Sequence, residues 1–518
     1  MIRGGGSVVY DRPGGGITFI QDQVSYLFDN SATTLFGDAP DAFEALLTDP
    51  RFTGINNLPV QNVAPTITRP FTPFVDGGFP FGLATGEFNY AVDQRFRTPY
   101  SIQYSIGFQR EIPGNFILEA TYVGRQGRKL FSQADLSQAL NFRDPGSGQT
   151  MFAAFNAIQA SLQRDVNAGL SLAQQRANVP VQPWLENQIS SALGGSCTAV
   201  FGSPSCTRLI VGDGSLYQFM LRGDTSDAVQ RMYALGVLNP NVGMSGQFGT
   251  NIYISNQGAS SYDGLLVSLR KRFSHGLQFD FNYTWSHSID NGSSVVNTVS
   301  GGLVCDLTNL RVCRGNSDFD IRHLVNANFI YELPFGRGRM FGSNVSGWAN
   351  QIIGGWEVSG IFTARSGLPF STTTTAFPVG FNFNSPAGFN SGNSGALQGS
   401  IHDDATAGTI QFFADPRAVF NSQRPLDGAI RFPHHGEIGN RNVFRGPGFW
   451  NLDTALLKNF QMPWSESQSL QLRWETFNLF NHNSFGLPAV GITGATFGTI
   501  TTSASNPREM QFALRYTF

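Results

Sequence analysis

Polar and apolar residues alternate along segments of about ten residues, and this pattern constrains the fold more than any other feature. The clearest example is residues 277–287. One face there carries Leu277, Phe279, Phe281, Tyr283 and Trp285, and the other carries Gln278, Asp280, Asn282, Thr284 and Ser286. Alternation with period two indicates a β-strand with one apolar face, and ten residues suffice for a tilted strand to cross a membrane.

The same alternation returns along the chain, which is therefore predicted to consist mainly of β-strands. Further segments with this pattern are 100–109, 116–122, 264–273, 320–332 and 509–518, while 350–366, 447–460 and 467–480 are less regular. Tight hairpin loops separate some of them, as at Ser274-His275-Gly276. Counting back from the C-terminus predicts about ten antiparallel strands, of which the first covers residues 3–11.

Composition favours a membrane β-barrel over a soluble protein. Charged residues make up 14% of the 518 residues and aromatic residues 13%, whereas soluble domains contain ~25% charged residues. Mean hydropathy is only −0.13, and the sequence offers no apolar stretch of the ~18 residues that a membrane helix needs. Strands that are apolar on one face only explain both properties. On composition alone, a soluble β-sandwich or propeller remains the alternative.

Short and long connections alternate, which is typical of an outer-membrane barrel with periplasmic turns and extracellular loops. The short connections lie near 111–115, 274–276, 334–349 and 461–466, and the long ones cover about 12–99, 124–261, 288–319, 367–446 and 481–507. Both termini are then periplasmic. Helical spacing within 151–193 predicts a short helix or two in the second long loop.

The two faces of the strands predict which residues meet lipid and which line the barrel. The residues expected to face the lumen are Gln278, Asp280, Asn282, Arg322, Asn326 and Arg515. Charged residues on the lipid side are Arg110, Lys271 and Arg508, and each lies at a strand end. Placing a Lys or Arg against lipid costs ~2–4 kcal/mol at the middle of the bilayer but only ~0–1 kcal/mol near its surface. The last strand ends with Phe512, Leu514, Tyr516 and Phe518 on one face. This pattern resembles the signal that outer-membrane barrels present to the barrel-assembly machinery.

The residues with chemical potential do not combine into an active site. Cys197 with Cys206, and Cys305 with Cys313, are predicted to form two loop disulfides. His434-His435 with Glu437 are expected to be solvated loop residues rather than a metal site, and calcium at Asp403-Asp404 or Asp318/Asp320 is the less favoured interpretation. We expect no enzyme activity and no cofactor. The net charge of −2 gives no basis for binding nucleic acid.

Several motifs resemble the barrel of TonB-dependent outer-membrane transporters, in particular the Oar-like group. They are Asp318-Phe319-Asp320-Ile321-Arg322-His323, Tyr331-Glu332-Leu333-Pro334-Phe335-Gly336, Phe477-Asn478-Leu479-Phe480-Asn481-His482 and Arg515-Tyr516-Thr517-Phe518, with Val9-Tyr10-Asp11-Arg12 near the start. The resemblance implies a barrel of about 22 strands filled by an N-terminal plug and energised through TonB.

No plug, TonB box or signal peptide is recognisable in residues 1–518, so we expect an incomplete barrel, the C-terminal part of a longer transporter in the bacterial outer membrane. Its partners would be outer-membrane lipid and the assembly machinery, with TonB and the plug in the full-length protein. The alternative is a surface adhesion or structural barrel without a plug. Nothing in the sequence selects a transported ligand.

Overall fold

The structure is a computed structural model. It describes residues 1–11, 88–93, 95–135, 138–239, 250–293, 308–380, 387–390, 394–404, 408–462 and 468–518, together with 242, 243, 306 and 464. Residues 12–87, most of the first predicted long loop, lie outside the described residues.

Ten long strands form one antiparallel sheet in which each strand pairs with the next along the chain. They are β1 (Ile2–Tyr10), β2 (Tyr100–Ile112), β3 (Phe116–Asp135), β4 (Thr250–Ser274), β5 (Leu277–Asp290), β6 (His323–Glu332), β7 (Trp356–Arg365), β8 (Phe449–Gln461), β9 (Ser469–Phe477) and β10 (Glu509–Thr517). The predicted antiparallel fold of about ten strands is confirmed. In the described part of the chain β1 and β10 each pair on one side only, so the sheet is open.

Tight turns join β2 to β3 and β4 to β5 at one end of the sheet. Gly114 and Asn115 between β2 and β3 both have positive φ, as do His275 and Gly276 between β4 and β5. Two consecutive residues with positive φ match the right-handed twist of a hairpin, which explains the glycine in each turn.

The strands β3 and β4 continue far beyond the predicted ends, which corrects the loop boundaries of 124–261. Their pairing runs from Phe116 opposite Lys271 to Asp135 opposite Ile252. The register shifts between Gly127 and Leu130 and again before Ser132. Bulges of this kind change which face each residue occupies, and strands outside the lipid need no apolar face. Both effects remove the alternation on which the prediction depended. A short strand, Phe88–Val92, pairs in parallel with the start of β4.

Seven helices follow β3 and form a helical subdomain outside the sheet. They are α1 (Met151–Asn167), α2 (Leu172–Asn178), α3 (Pro183–Leu193), α4 (Cys197–Phe201), α5 (Cys206–Gly212), α6 (Gly214–Arg222) and α7 (Thr225–Ala234). The predicted helix within 151–193 is confirmed, but the helical region is larger than one or two helices. Its core includes Phe155, Ile158, Trp184, Leu185 and Met220, which are fully buried.

The later helices are short, and their ends carry the signals that define them. Ser196, Ser205, Asp213 and Asp224 each accept a backbone hydrogen bond at the start of a helix. Such caps compensate for the missing hydrogen bonds of the first turn. No helix in the described part of the chain is long and apolar enough to cross a membrane.

The connections 366–448 and 478–508 form a second folded region, the loop layer. It contains the paired short strands Pro369–Phe370 with Phe444–Arg445 and Gly388–Phe389 with Ile430–Arg431, and a three-stranded sheet of Gly399–Asp404, Thr409–Phe413 and Thr499–Ile500. Its core is rich in phenylalanine: Phe370, Phe412, Phe413, Phe420, Phe432, Phe444 and Phe497. Seven of the 46 phenylalanines therefore belong to this core. Two further helices are α8 (Gly347–Ile353), between β6 and β7, and α9 (Pro416–Val419).

Candidate functional site

The register places polar residues of all ten strands on one face of the sheet, called here the polar face. Asp280 of β5 lies opposite Arg270 of β4 and Asn328 of β6. Asn326 lies opposite Asn282 on β5 and Thr363 on β7. In an antiparallel pair, directly opposed residues share a face. Following the register from strand to strand therefore defines one continuous surface.

Charges on the polar face lie close to opposite charges. Arg3 approaches Glu119 at 3.6 Å, Arg270 Nε contacts Asp280 at 2.7 Å, and Arg473 Nε contacts Glu475 at 2.5 Å. Each of these pairs is partly exposed, and exposed ion pairs contribute only ~0–1 kcal/mol to stability. Their consequence is a hydrophilic wall with little net charge.

The predicted lumen-facing residues share this face, with one difference in position. Gln278, Asp280 and Asn282 lie on β5, Asn326 on β6, and Arg515 on β10 opposite Gln471. Asn282 accepts a hydrogen bond from Ser268 Oγ at 2.7 Å. Arg322 precedes β6 and belongs to a separate group of charges at the outer end of the sheet.

This group, the outer-end network, joins the strand ends to the loop layer. It consists of Asp290, Asp318, Asp320, Arg322, Arg441 and Arg445. Arg441 contacts Asp290 at 2.5 Å and Asp318 at 3.0 Å. Arg445 and Arg322 both bind Asp320, the latter at 3.1 Å. The side chains of Arg441 and Asp290 are each only 6% exposed, so this ion pair is shielded from water.

The two aspartates considered as a calcium site in this region, Asp318 and Asp320, belong to the outer-end network. Asp318 and Asp320 are bound by arginine, and Asn442 Nδ2 also donates to Asp318 at 2.6 Å. Asp403 and Asp404 lie apart from them, at the end of the short strand Gly399–Asp404. Sequence spacing gave no sign of the network because Arg441 and Arg445 lie more than a hundred residues from their partners.

The prediction of solvated loop residues is wrong for His435, whereas His434 is exposed. His435 is 2% exposed, and its ring lies against Phe155 with centroids 5.2 Å apart. Its Nδ1 shares a hydrogen bond of 2.9 Å with Thr225 Oγ1, and its Nε2 lies 3.1 Å from Met220 O. Burial lowers the pKa of His435 to about 3, so the ring is neutral at physiological pH.

The histidine pair instead attaches the helical subdomain to the loop layer. His435 N donates to Asn156 Oδ1 at 2.8 Å, and Gln159 Nε2 donates to Pro433 O at 2.8 Å. Glu437 holds Arg431 through two hydrogen bonds of 2.7 and 3.0 Å. Burial alone would raise the pKa of Glu437, but these hydrogen bonds lower it. The carboxylate is thus kept charged at the junction.

Of the predicted disulfides, the structure contains Cys197–Cys206, with Cα atoms 5.2 Å apart. It joins the first residue of α4 to the first residue of α5. Cys313 is disulfide-bonded as well, and its predicted partner, Cys305, lies outside the described residues.

The four residues of the predicted insertion signal share the opposite, apolar face of the sheet. Phe512 lies opposite Trp474 on β9, with stacked rings 6.0 Å apart, and Leu514 lies opposite Leu472. Tyr516 lies on the same face, and Phe518 follows the end of β10. All four side chains are exposed, so the last strand presents an apolar face.

A family model for an outer membrane beta barrel domain matches residues 1–511. The chain belongs to this family. The outer membrane beta barrel domain therefore locates the protein in the bacterial outer membrane, with the antiparallel sheet as its membrane-spanning part. No curated protein matches the chain.

The solved structures that align with this chain are larger and only distantly similar. The outer membrane transporter YddB from Escherichia coli aligns with a TM-score of 0.32 at 10% identity, covering 83% of this chain and 34% of that one. FpvA of P. aeruginosa, bound to a pyoverdine, aligns with a TM-score of 0.30 at 10% identity, covering 82% of this chain and 28% of FpvA. The FrpB iron transporter from Neisseria meningitidis aligns with a TM-score of 0.28 at 8% identity, covering 83% of this chain and 33% of FrpB. The outer membrane beta barrel domain described here thus spans about a third of their length.

Proposed function

We propose that this barrel domain is part of a TonB-dependent transporter of the Oar-like group, and that it contributes to uptake of a ligand rather than to catalysis. The observation that carries the proposal is the polar face, a hydrophilic surface across ten adjacent strands. Small barrels fill their interior with side chains, whereas larger ones enclose water or a plug. Paired charges such as Arg270 with Asp280 suit the inner wall of a larger barrel that encloses water or a plug.

Within this proposal the two ends of the sheet have different partners. The loop layer and the helical subdomain would receive the ligand from outside the cell. A plug domain would lie against Gln278, Asp280 and Asn282 in the full-length protein, and TonB would act on that plug from the periplasm. The apolar row that runs from Phe512 on β10 to Phe518 just after it would be recognised by the barrel-assembly machinery.

The transport proposal is tested by binding to TonB. The protein is purified in detergent from its native outer membrane and titrated with the purified periplasmic domain of TonB from the same organism, with a porin from the same membrane as control. We expect saturable binding by this protein and none by the porin. Equal behaviour of the two would contradict coupling to TonB and favour a surface adhesion or structural barrel.

The orientation of the sheet gives a second prediction. Asn282→Cys and Phe281→Cys are adjacent on β5 and lie on opposite faces. Each variant is labelled with bimane while unfolded and then refolded into vesicles whose lipids carry nitroxide quenchers. We expect strong quenching at position 281 and weak quenching at position 282, because only the apolar face meets lipid. The reverse order would show that the polar face is not the lumen wall.

A further inference from the structure

The connection between β6 and β7, residues 333–355, is folded rather than a simple turn, and is called here the β6–β7 turn. Phe335 and Phe341 form a parallel bridge, with their rings 5.6 Å apart. Asn350 Oδ1 accepts a hydrogen bond of 2.7 Å from the backbone N–H of Arg337, which fixes α8 against the first half of the turn. Gly336 allows this contact, since a Cβ there would lie 2.7 Å from the same oxygen.

Large apolar side chains of this turn point away from the protein. Met340 is 80% exposed, Trp348 74% and Ile352 60%. The set of exposed residues, called here the turn patch, is Phe335, Met340, Phe341, Trp348, Ile352 and Ile353. Adjacent exposed residues of this size mark an interaction surface. In α8, Trp348 and Ile352 are four residues apart and so lie on one side of the helix.

Two contacts hold α8 on the lipid side of the sheet. Trp356 Nε1 donates a hydrogen bond of 2.9 Å to Ile352 O, and Lys458 Nζ donates to Gly354 O. Trp356 and Lys458 are opposite each other in the register and share the apolar face with Val358 and Leu456. The turn patch is therefore continuous with the surface that meets lipid.

The charge of the turn suits an anionic surface. Residues 333–355 contain two arginines and no acidic residue. Arg339 is paired with Glu332 at 2.7 Å. Arg337 is exposed, and the contact of its guanidinium with Val345 O is long, at 3.4 Å. Its guanidinium can thus bind a phosphate group, for which arginine has suitable donor geometry.

We propose that the β6–β7 turn anchors the barrel in the periplasmic leaflet of the outer membrane. Trp348, Ile352 and Met340 insert at the level of the lipid headgroups, and Arg337 binds the phosphate of an anionic phospholipid. Tryptophan favours this interface because its ring is amphipathic, and a basic residue near anionic lipid adds attraction. The anchor lies outside the strands, so it extends the lipid contact beyond the barrel wall.

The anchor is tested by spin labelling of the full chain reconstituted in vesicles. Nitroxides are placed at Trp348→Cys and Ile352→Cys, with Asn344→Cys, an exposed polar position in the same turn, as control. We expect relaxation at 348 and 352 to respond mainly to oxygen, which partitions into lipid, and at 344 mainly to a water-soluble nickel complex. Nickel accessibility at 348 and 352 equal to that at 344 would overturn the proposal. Protection from both reagents would also overturn it, because it would indicate a protein partner.

The phosphate contact is tested separately by lipid composition. Adding phosphatidylglycerol to phosphatidylethanolamine vesicles is expected to shift the label at 348 deeper. Arg337→Gln should abolish that shift. Arg424→Gln, which changes an exposed arginine of the loop layer, should leave it intact. An unchanged shift in Arg337→Gln would overturn the role of Arg337 in the anchor.

Discussion

Arg441→Met is expected to destabilise the attachment of the loop layer to the sheet by about 3–5 kcal/mol, because it leaves the buried carboxylate of Asp290 without its partner. Asp290 keeps hydrogen bonds from Gly292 N and Ser293 Oγ, but these do not neutralise its charge. Asp318 loses an ion pair at the same time. The measurement is amide hydrogen exchange in the reconstituted protein. Exchange in residues 288–293 and 441–445 should accelerate by roughly two to four orders of magnitude.

Arg424→Met provides the matched control, since Arg424 and Asp427 form an exposed pair of a kind that contributes at most about 1 kcal/mol. Replacing both members of the buried pair, with Arg441→Met and Asp290→Leu together, should restore part of the protection. If Arg441→Met exchanged no faster than Arg424→Met, the outer-end network would not hold the loops in place.

Phe518→Ala is expected to remove most of the assembled protein from the outer membrane. The last strand presents Phe512, Leu514 and Tyr516 on one exposed face, and Phe518, 91% exposed, ends that row. Its expected role is recognition rather than packing, so the loss should occur before insertion. The measurement is the amount of protein in the outer-membrane fraction that migrates differently on a gel before and after heating.

The control for this effect is Thr517→Ala, one residue earlier in the chain and on the other face of β10. It should leave the heat-modifiable fraction close to the wild-type amount. Comparable assembly of the two variants would contradict a signal read from the apolar face. The stability of protein that does assemble can be compared by its unfolding in urea, which separates a folding defect from a recognition defect.

The alternation of polar and apolar residues predicted the sheet well where each strand has lipid on one side and polar groups on the other. β5 and β6 show this, since their register places Asn282 opposite Asn326 and Phe281 opposite Ala327. Where the strands leave the membrane, only backbone pairing remains, and sequence pattern no longer marks their ends. The predicted end of β3, near residue 122, came before the bulges after Gly127, where the strand continues with a shifted register.

The outer part of the protein was predicted less completely because its core is formed by distant segments. The buried ring of His435 packs against Phe155 and lies within hydrogen-bond distance of Met220 O, and both residues are more than two hundred positions away in the chain. Local polarity of the sequence around it indicated a solvated loop. The short helices after residue 193 did carry a local signal, namely a Ser or Asp cap at each start and glycine after α4 and α6. These caps, read together, would have predicted the larger helical subdomain.

The length of strands β3 and β4 affects how the protein can evolve. The two strands contain 20 and 25 residues, whereas about 9–11 tilted residues span the bilayer. The excess of roughly ten residues extends β3 about 25 Å beyond the hydrocarbon layer when the strand tilts by ~45°, and the helical subdomain follows the end of β3. Phage and antibodies approaching the cell would contact this subdomain. Because it has its own core and a disulfide, its surface can diversify under such pressure without altering one lipid contact or the register of the wall below.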